Sequence, residues 1–272
     1  MTHADPRSSG DVVPLPQPDA TPVGTLYLVP APLDFGCSTP APLAAVLPAG
    51  TLQTAARLEH WICENAKTTR AYLKRVDALF PLACPLQALH ITELPHAVHK
   101  KGDHQGGFDA SGLLGPALRG QDVGLVSEAG MPAIADPGSS VVRAAHALGI
   151  AVVPLVGPVS LLLALAASGL NGQNFAFVGY LPQDPTERVQ RIRALESLAL
   201  KTGQSQIFIE TPYRNAALLQ ALLQTLQHNT CLAVASGLTL PQAGIRSQTV
   251  KGWRQAAPWA GGALPAVFVI GR

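Results

Sequence analysis

Charged and aromatic side chains are scarce in this sequence: 13% of its 272 residues are Asp, Glu, Lys or Arg, and 5% are Phe, Trp or Tyr. Apolar residues make up 47%, which excludes disorder for most of the length, since a chain fails to form a core when hydrophobicity is low and net charge high. Long hydrophobic runs are missing too. A membrane helix needs about 20 consecutive apolar residues, and the nearest stretch, Val152 to Leu170, is broken by Pro154, Gly157, Pro158 and Ser168. No contact with a membrane is expected. The start carries no basic segment leading into an apolar one, so no secretory signal is expected and the chain is expected to be cytoplasmic. The four cysteines, Cys37, Cys63, Cys84 and Cys231, form no C-x-x-C pair. They read as reduced, mostly buried thiols, with neither a disulfide framework nor a metal site. A net charge of +2 is too small to identify a polyanionic partner. Absent as well are the G-x-G-x-x-G, G-x-x-x-x-G-K-[ST] and H-x-E…P-C-x-x-C patterns, which removes the main support for dinucleotide, nucleotide triphosphate and zinc deaminase chemistry.

What is present alternates short apolar runs with turn-rich loops. The segment before Thr25 is rich in Pro, Asp, Ser and Thr and has no hydrophobic period, so residues 1–24 read as a mobile leader. Leu26 to Val29 and Val123 to Val126 read as strands that empty into VPAPLDFG and SEAGMPAIADPG. Between them, Leu58, Ile62, Ala66, Leu73 and Val76 fit one helical face, which predicts helix over Leu52 to Phe80. Ser139 to Leu148 predicts the next helix, ended by Gly149, before a strand at Ile150 to Pro154. Strand, helix and strand in succession predict a parallel crossover unit over Val123 to Leu155. Beyond Gly172, strands are expected at Phe175 to Val178, Gln206 to Glu210, Cys231 to Ala235 and Ala266 to Ile270, with helices at Glu187 to Leu200 and Asn215 to Gln227. The fold class is therefore α/β, in two lobes, 25–170 and 171–272, the second with a mixed sheet.

Ligands of open α/β sheets bind where loops gather at strand carboxyl ends. VPAPLDFG, VSEAGMPAIADPGS and VPLVGPVS each follow a predicted strand, and their Gly, Pro and small residues let backbone approach a ligand closely. Any one of them could be only a tight turn; three together indicate a site. LYLVPAPLDFG, GQDVGLVSEAGMPAIADPGSSVVRAAHALGIAVVPLVGPVS, FAFVGYLP and FIETPYRNAALL, in that order and spacing, resemble the tetrapyrrole-methylase superfamily of S-adenosylmethionine-dependent methyltransferases. The resemblance is greatest to the branch that methylates a cytidine 2′-hydroxyl of small-subunit ribosomal RNA. It implies two α/β lobes with S-adenosylmethionine in the cleft between them, a homodimer, and ribosomal RNA as partner. Carried over by position, the cofactor wall is Leu33, Glu128, Ala129, Gly130, Ile134, Val159 and Ser160 from the first lobe and Glu210, Thr211 and Leu238 from the second.

The substrate half departs from that branch. Glu64-Asn65-Ala66-Lys67 stands where it has E-D-T-R, LPHAVHKKGDHQGGFD replaces an H-x-H-N-E-like element, and Ser236-Gly237-Leu238-Thr239-Leu240 replaces R-E-L-T-K. Methyl transfer needs alignment and a group that takes the acceptor's proton. Glu64, Asp136 and Glu210 are the candidates; Glu64 is assigned the catalytic role, although a solvated pair with Lys67 or Lys74 explains it equally, and Asp136 reads rather as a helix cap. Lys67, Arg70 and Arg214 are assigned to substrate. Lys67, Arg70, Lys74 and Arg75 with Tyr72 could track phosphates and stack a base, or form a polar helix face. Arg214 could equally pair with Glu210 and shape its loop. His96, His99 and His104 read as a substrate lid or plain surface. Two alternatives stay open: a methylase of a tetrapyrrole or other small molecule, and a cofactor-binding protein without catalysis.

Overall fold

The computed structural model describes residues 22–34, 37–101, 103, 107–259 and 264–272, so the expected leader lies outside the described residues up to Thr21. Its first sheet holds β1 (Thr25–Leu28), β2 (His60–Cys63), β3 (His90–Glu93), β4 (Val123–Val126) and β5 (Ala151–Pro154). All pairings are parallel, in the order β3-β2-β4-β1-β5. A strand covered on both faces has no reason to alternate polar with apolar, and β4 (VGLV) is buried throughout. On one face α1 (Leu43–Val46), α2 (Ala49–Arg57) and α3 (Ala66–Asp77) pack Leu52, Leu73 and Val76 against Val29 and Trp61. On the other, α4 (His96–Lys101), α5 (Gly115–Leu118) and α6 (Ser139–Ala147) pack Val98, Ala117 and Val141 against Leu26, Ile62 and Leu125. Gly124 makes room for Trp61, because a Cβ there would fall 2.8 Å from the indole.

The helix expected over Leu52 to Phe80 is three elements, α2, β2 and α3. Trp61 and Ile62 point to opposite faces of the sheet, into the two separate clusters, and pairing with β3 and β4 outweighs their helical phase. The crossover from β4 through α6 to β5 is parallel as expected, but β1 lies between the two strands. The chain thus leaves β1 toward one side of the sheet and β4 toward the other, which opens a crevice at the carboxyl ends of these neighbours.

The second sheet holds β6 (Phe175–Tyr180), β7 (Ser205–Glu210), β8 (Cys231–Ser236), β9 (Gly244–Thr249) and β10 (Ala266–Gly271), in the order β6-β7-β10-β8-β9. It is mixed: β6 and β7 run parallel, and the other pairs are antiparallel. One face takes α7 (Ser160–Ser168), whose Leu161, Ala164 and Leu165 pack on Ile207, Ala233, Val267 and Val269. The other takes α8 (Pro185–Thr202), α9 (Asn215–Thr225) and α10 (Val250–Gln255), around Phe208, Leu222, Trp253 and Phe268. Helix α7, which a division at 170/171 assigns to the first lobe, packs on the second sheet. Among the described residues, no helix is long and apolar enough to cross a membrane.

Candidate active site

Loops at the carboxyl ends of β1, β4 and β5 meet the ends of β6, β7 and β8 and the start of β10 around a cavity of about 370 Å3. That lies in the range of small-molecule sites, about 300–1,000 Å3. The β1 and β4 loops are stitched together, with Ala31 N–H donating to Gly130 O (2.9 Å) and Gly130 N–H to Ala31 O (3.0 Å). Gly130 has φ +70°, and a Cβ there would stand 3.2 Å from Leu33 Cδ2 and 3.5 Å from Pro158 O. Three loops thus converge on one glycine whose left-handed φ, with Leu33 close by, disfavours a side chain.

After Gly130 the backbone is strained. Ala133 and Ala135 have φ of 64° and 66°, a conformation costing a residue with a Cβ about 1–3 kcal/mol and held only where the surroundings over-determine it. The anchor is Asp103, buried on a different segment. Its carboxylate accepts from Gly138 N–H (2.9 Å), Ser140 N–H (2.8 Å), Ser139 Oγ (2.7 Å) and Ser140 Oγ (2.5 Å). Burial alone would raise this carboxyl; the four hydrogen bonds more than offset it and hold the group at about 2. Asp103, then, caps α6 from a distance, and the expectation that Asp136 is the cap is overturned. Asp136 lies in the cavity wall. Burial first, then the nearby Glu64 and Glu128 carboxylates, push it up to about 7.

Of the ten positions assigned to cofactor, Leu33, Ala129, Gly130, Ile134, Val159, Ser160, Glu210, Thr211 and Leu238 line this cavity. Glu128 lines a neighbouring pocket of about 160 Å3 with Asp34, Thr68, Tyr72 and Arg75, where it accepts from Thr68 Oγ1. Glu64 is not in the wall, and its carboxylate accepts from the Glu128 N–H at 3.2 Å. Glu210 is buried and bonded to Thr211 N–H (2.7 Å) and the Arg214 guanidinium (2.6 Å). Arg214 also stands 5.6 Å from the Tyr213 ring centre. The Glu210–Arg214 pair thus shapes the turn after β7.

On α3, whose amino terminus Asn65 caps, Lys67, Arg70 and Lys74 are exposed and at spacings of three and four share one face. Their two companions are otherwise engaged. Arg75 pairs with Asp34 (3.1 Å), and Tyr72 is buried with its hydroxyl on Pro30 O, so Tyr72 stacks on no ligand. His96 opens α4, while the side chain of His99 and all of His104 lie outside the described residues. Sequence reasoning missed Tyr180 and Pro265 to Val267 in the wall, and Asp103 as the anchor. None carries a local signal, because each arrives from a distant segment.

A parallel α/β sheet is joined to a mixed one, with a cavity at the strand ends between them. The solved structure of the methyltransferase CobJ shares this fold: the two superpose with a TM-score of 0.54 over 92% of this chain and 94% of that one, at 19% identity. Residues 50–252 match the family of Tetrapyrrole (Corrin/Porphyrin) Methylases, and the chain belongs to that family. It is a methyltransferase. Among its relatives, Ribosomal RNA small subunit methyltransferase I of Mesorhizobium japonicum is 31% identical over 226 residues, 83% of this chain and 67% of that protein. The protein of the same name from Xylella fastidiosa is 34% identical over 218 residues, 79% of this chain and 69% of that one.

Proposed function

We propose that this chain transfers the methyl group of S-adenosylmethionine to a 2′-hydroxyl of ribosomal RNA, as a homodimer in the cytoplasm. The observation that carries the reading is the convergence of nine assigned cofactor positions, drawn from both sheets, on one cavity. The residues present fit the cofactor. Leu33, Ile134, Val159, Ile209 and Leu238 give apolar walls for an adenosine, and the missing side chain at Gly130 leaves the β4 loop backbone open to a ligand. When bound, the cofactor supplies an electrophilic methyl on a positively charged sulfur. The chain's own residues do the rest. Apolar walls exclude water, the buried Glu210–Arg214 pair fixes the turn against Thr211, and the Asp103 cap fixes the strained β4 loop.

The names of the curated relatives support RNA as acceptor, and so does the exposed cationic face of α3. Exposed Leu162, Leu163 and Phe175 on α7 and β6 support a dimer contact. The test is transfer of a labelled methyl to small-subunit ribosomal RNA that lacks its modifications, beside a tetrapyrrole control. Label in the RNA, recovered in a 2′-O-methylated nucleotide, is expected. Label in the tetrapyrrole alone would move the chain to small-molecule methylation, and cofactor binding with no transfer to either would leave a binding protein.

A further inference from the structure

Asp136 follows a strained alanine in a loop that Asp103 clamps from outside, so its position is built rather than incidental. It caps nothing, since the amino terminus of α6 is already satisfied by Asp103. Among the described residues, no hydrogen bond from the protein reaches its carboxylate. Every other acid near the cavity is engaged. Glu210 holds Arg214 and the Thr211 amide, Glu128 accepts from Thr68, and Glu64 accepts from the Glu128 amide. A half-buried carboxylate in a ligand cavity, left without a partner while its neighbours are bonded, has its lone pairs directed to what enters.

We propose that Asp136 is the residue that takes the proton from the methyl acceptor. This rests on the methyl-transfer reading above. In the step, the acceptor oxygen forms a bond to the methyl carbon as the carbon–sulfur bond breaks and its electron pair returns to sulfur. The hydroxyl proton passes to a carboxylate oxygen of Asp136 and later to solvent. The charged groups that raise its proton affinity are Glu64 after β2 and Glu128 after β4; Tyr180 at the end of β6 faces it and is itself pushed up by burial and then by Asp136 and by Glu210 at the end of β7, against Arg214. Burial and the two glutamates bring Asp136 to about 7, where a base is both deprotonated in part and strong enough to accept. Glu64, assigned the catalytic role from sequence, acts instead on the charge of Asp136.

A positive sulfur entering beside Asp136 favours the carboxylate, so binding of the sulfonium cofactor expels a proton near neutral pH. Its demethylated thioether product has no charge on sulfur. Titration calorimetry of the whole protein in buffers of different ionisation enthalpy reads this directly. At pH 7 the sulfonium is expected to release up to about half a proton more than the thioether. Asp136→Asn should abolish that difference, weaken the sulfonium by about fivefold or more while weakening the uncharged thioether less, and lower methyl transfer by about 100-fold or more, the usual weight of a general base. Asp136→Glu should keep the proton release. Equal release with both ligands in the wild type, a difference that survives in Asp136→Asn, or wild-type transfer by that variant would overturn the proposal. If the wild type methylates no RNA, the RNA reading falls alone, and the proton balance still decides for or against Asp136.

Discussion

Asp103 and Asp136 serve the same loop and titrate in opposite directions, which gives each a distinct signature in stability against pH. The Asp103 carboxyl lies at about 2 because four donors outweigh its burial. Its contribution to stability is therefore complete above the unfolded value of about 3.9 and is lost as pH falls toward 2. Asp103→Asn is expected to lower the melting temperature at pH 7 by several degrees, as loss of a buried cap worth about 2 kcal/mol implies, and to narrow the gap to wild type by pH 2. A gap equally wide at both pH values would mean that the charge of Asp103 does not matter. Asp136 runs the other way. Its raised value of about 7 makes the folded state hold a proton that the unfolded chain gives up, so stability is full below about 4 and falls as pH rises through 7. Asp136→Asn should melt higher than wild type at pH 8 and no higher at pH 4. A variant that gains nothing at pH 8 would show that the carboxylate is not strained, and with it would go the stability cost expected of a tuned catalytic group.

Elements that could be read locally were read well, and those decided by distant pairing were not. Strands β1, β4, β7, β8 and β10 announce themselves as apolar runs, whereas β2 is four residues inside a helical pattern and is fixed only by β3 and β4. Strand β9, GIRSQT, is half polar because it lies at a sheet edge with alternate residues exposed, so its composition gives no strand signal. The α3 face shows the same limit. Its charge was visible, but not that Arg75 and Tyr72 turn inward, leaving Lys67, Arg70 and Lys74 outside. Replacing Lys67 and Arg70 together by Ala is expected to weaken RNA binding and reduce its salt slope by about 1.4, two phosphates at about 0.7 each. Cofactor affinity should not change. An unchanged slope would remove α3 from the RNA surface. For α7, which is apolar on all sides with Leu162 49% and Leu163 39% exposed, Leu162→Glu should shift sedimentation from dimer to monomer; a wild type that sediments as monomer would rule out this contact.

At the scale of the whole molecule, much of the cavity wall was legible because its residues sit in contiguous loops after strands, where a motif survives as a string. Tyr180 and the start of β10 were not, since they reach the wall from separate segments, and no spacing in the chain reports that they meet Asp136, which the sequence offered among the bases without singling it out. By packing, α7 belongs with the second sheet, so we infer that the lobes divide before Ser160, which makes the β5–α7 loop ending at Val159 the connection as well as part of the wall. The central claim is that both sheets hold one ligand. Calorimetric titration with S-adenosylmethionine of the wild type, of Gly130→Val on the first sheet and of Leu238→Arg on the second tests it most directly. One site per chain at micromolar strength is expected in the wild type, with binding lost in both variants while each keeps its cooperative melt. No heat in the wild type, or wild-type affinity in either folded variant, would contradict a cofactor held between the sheets.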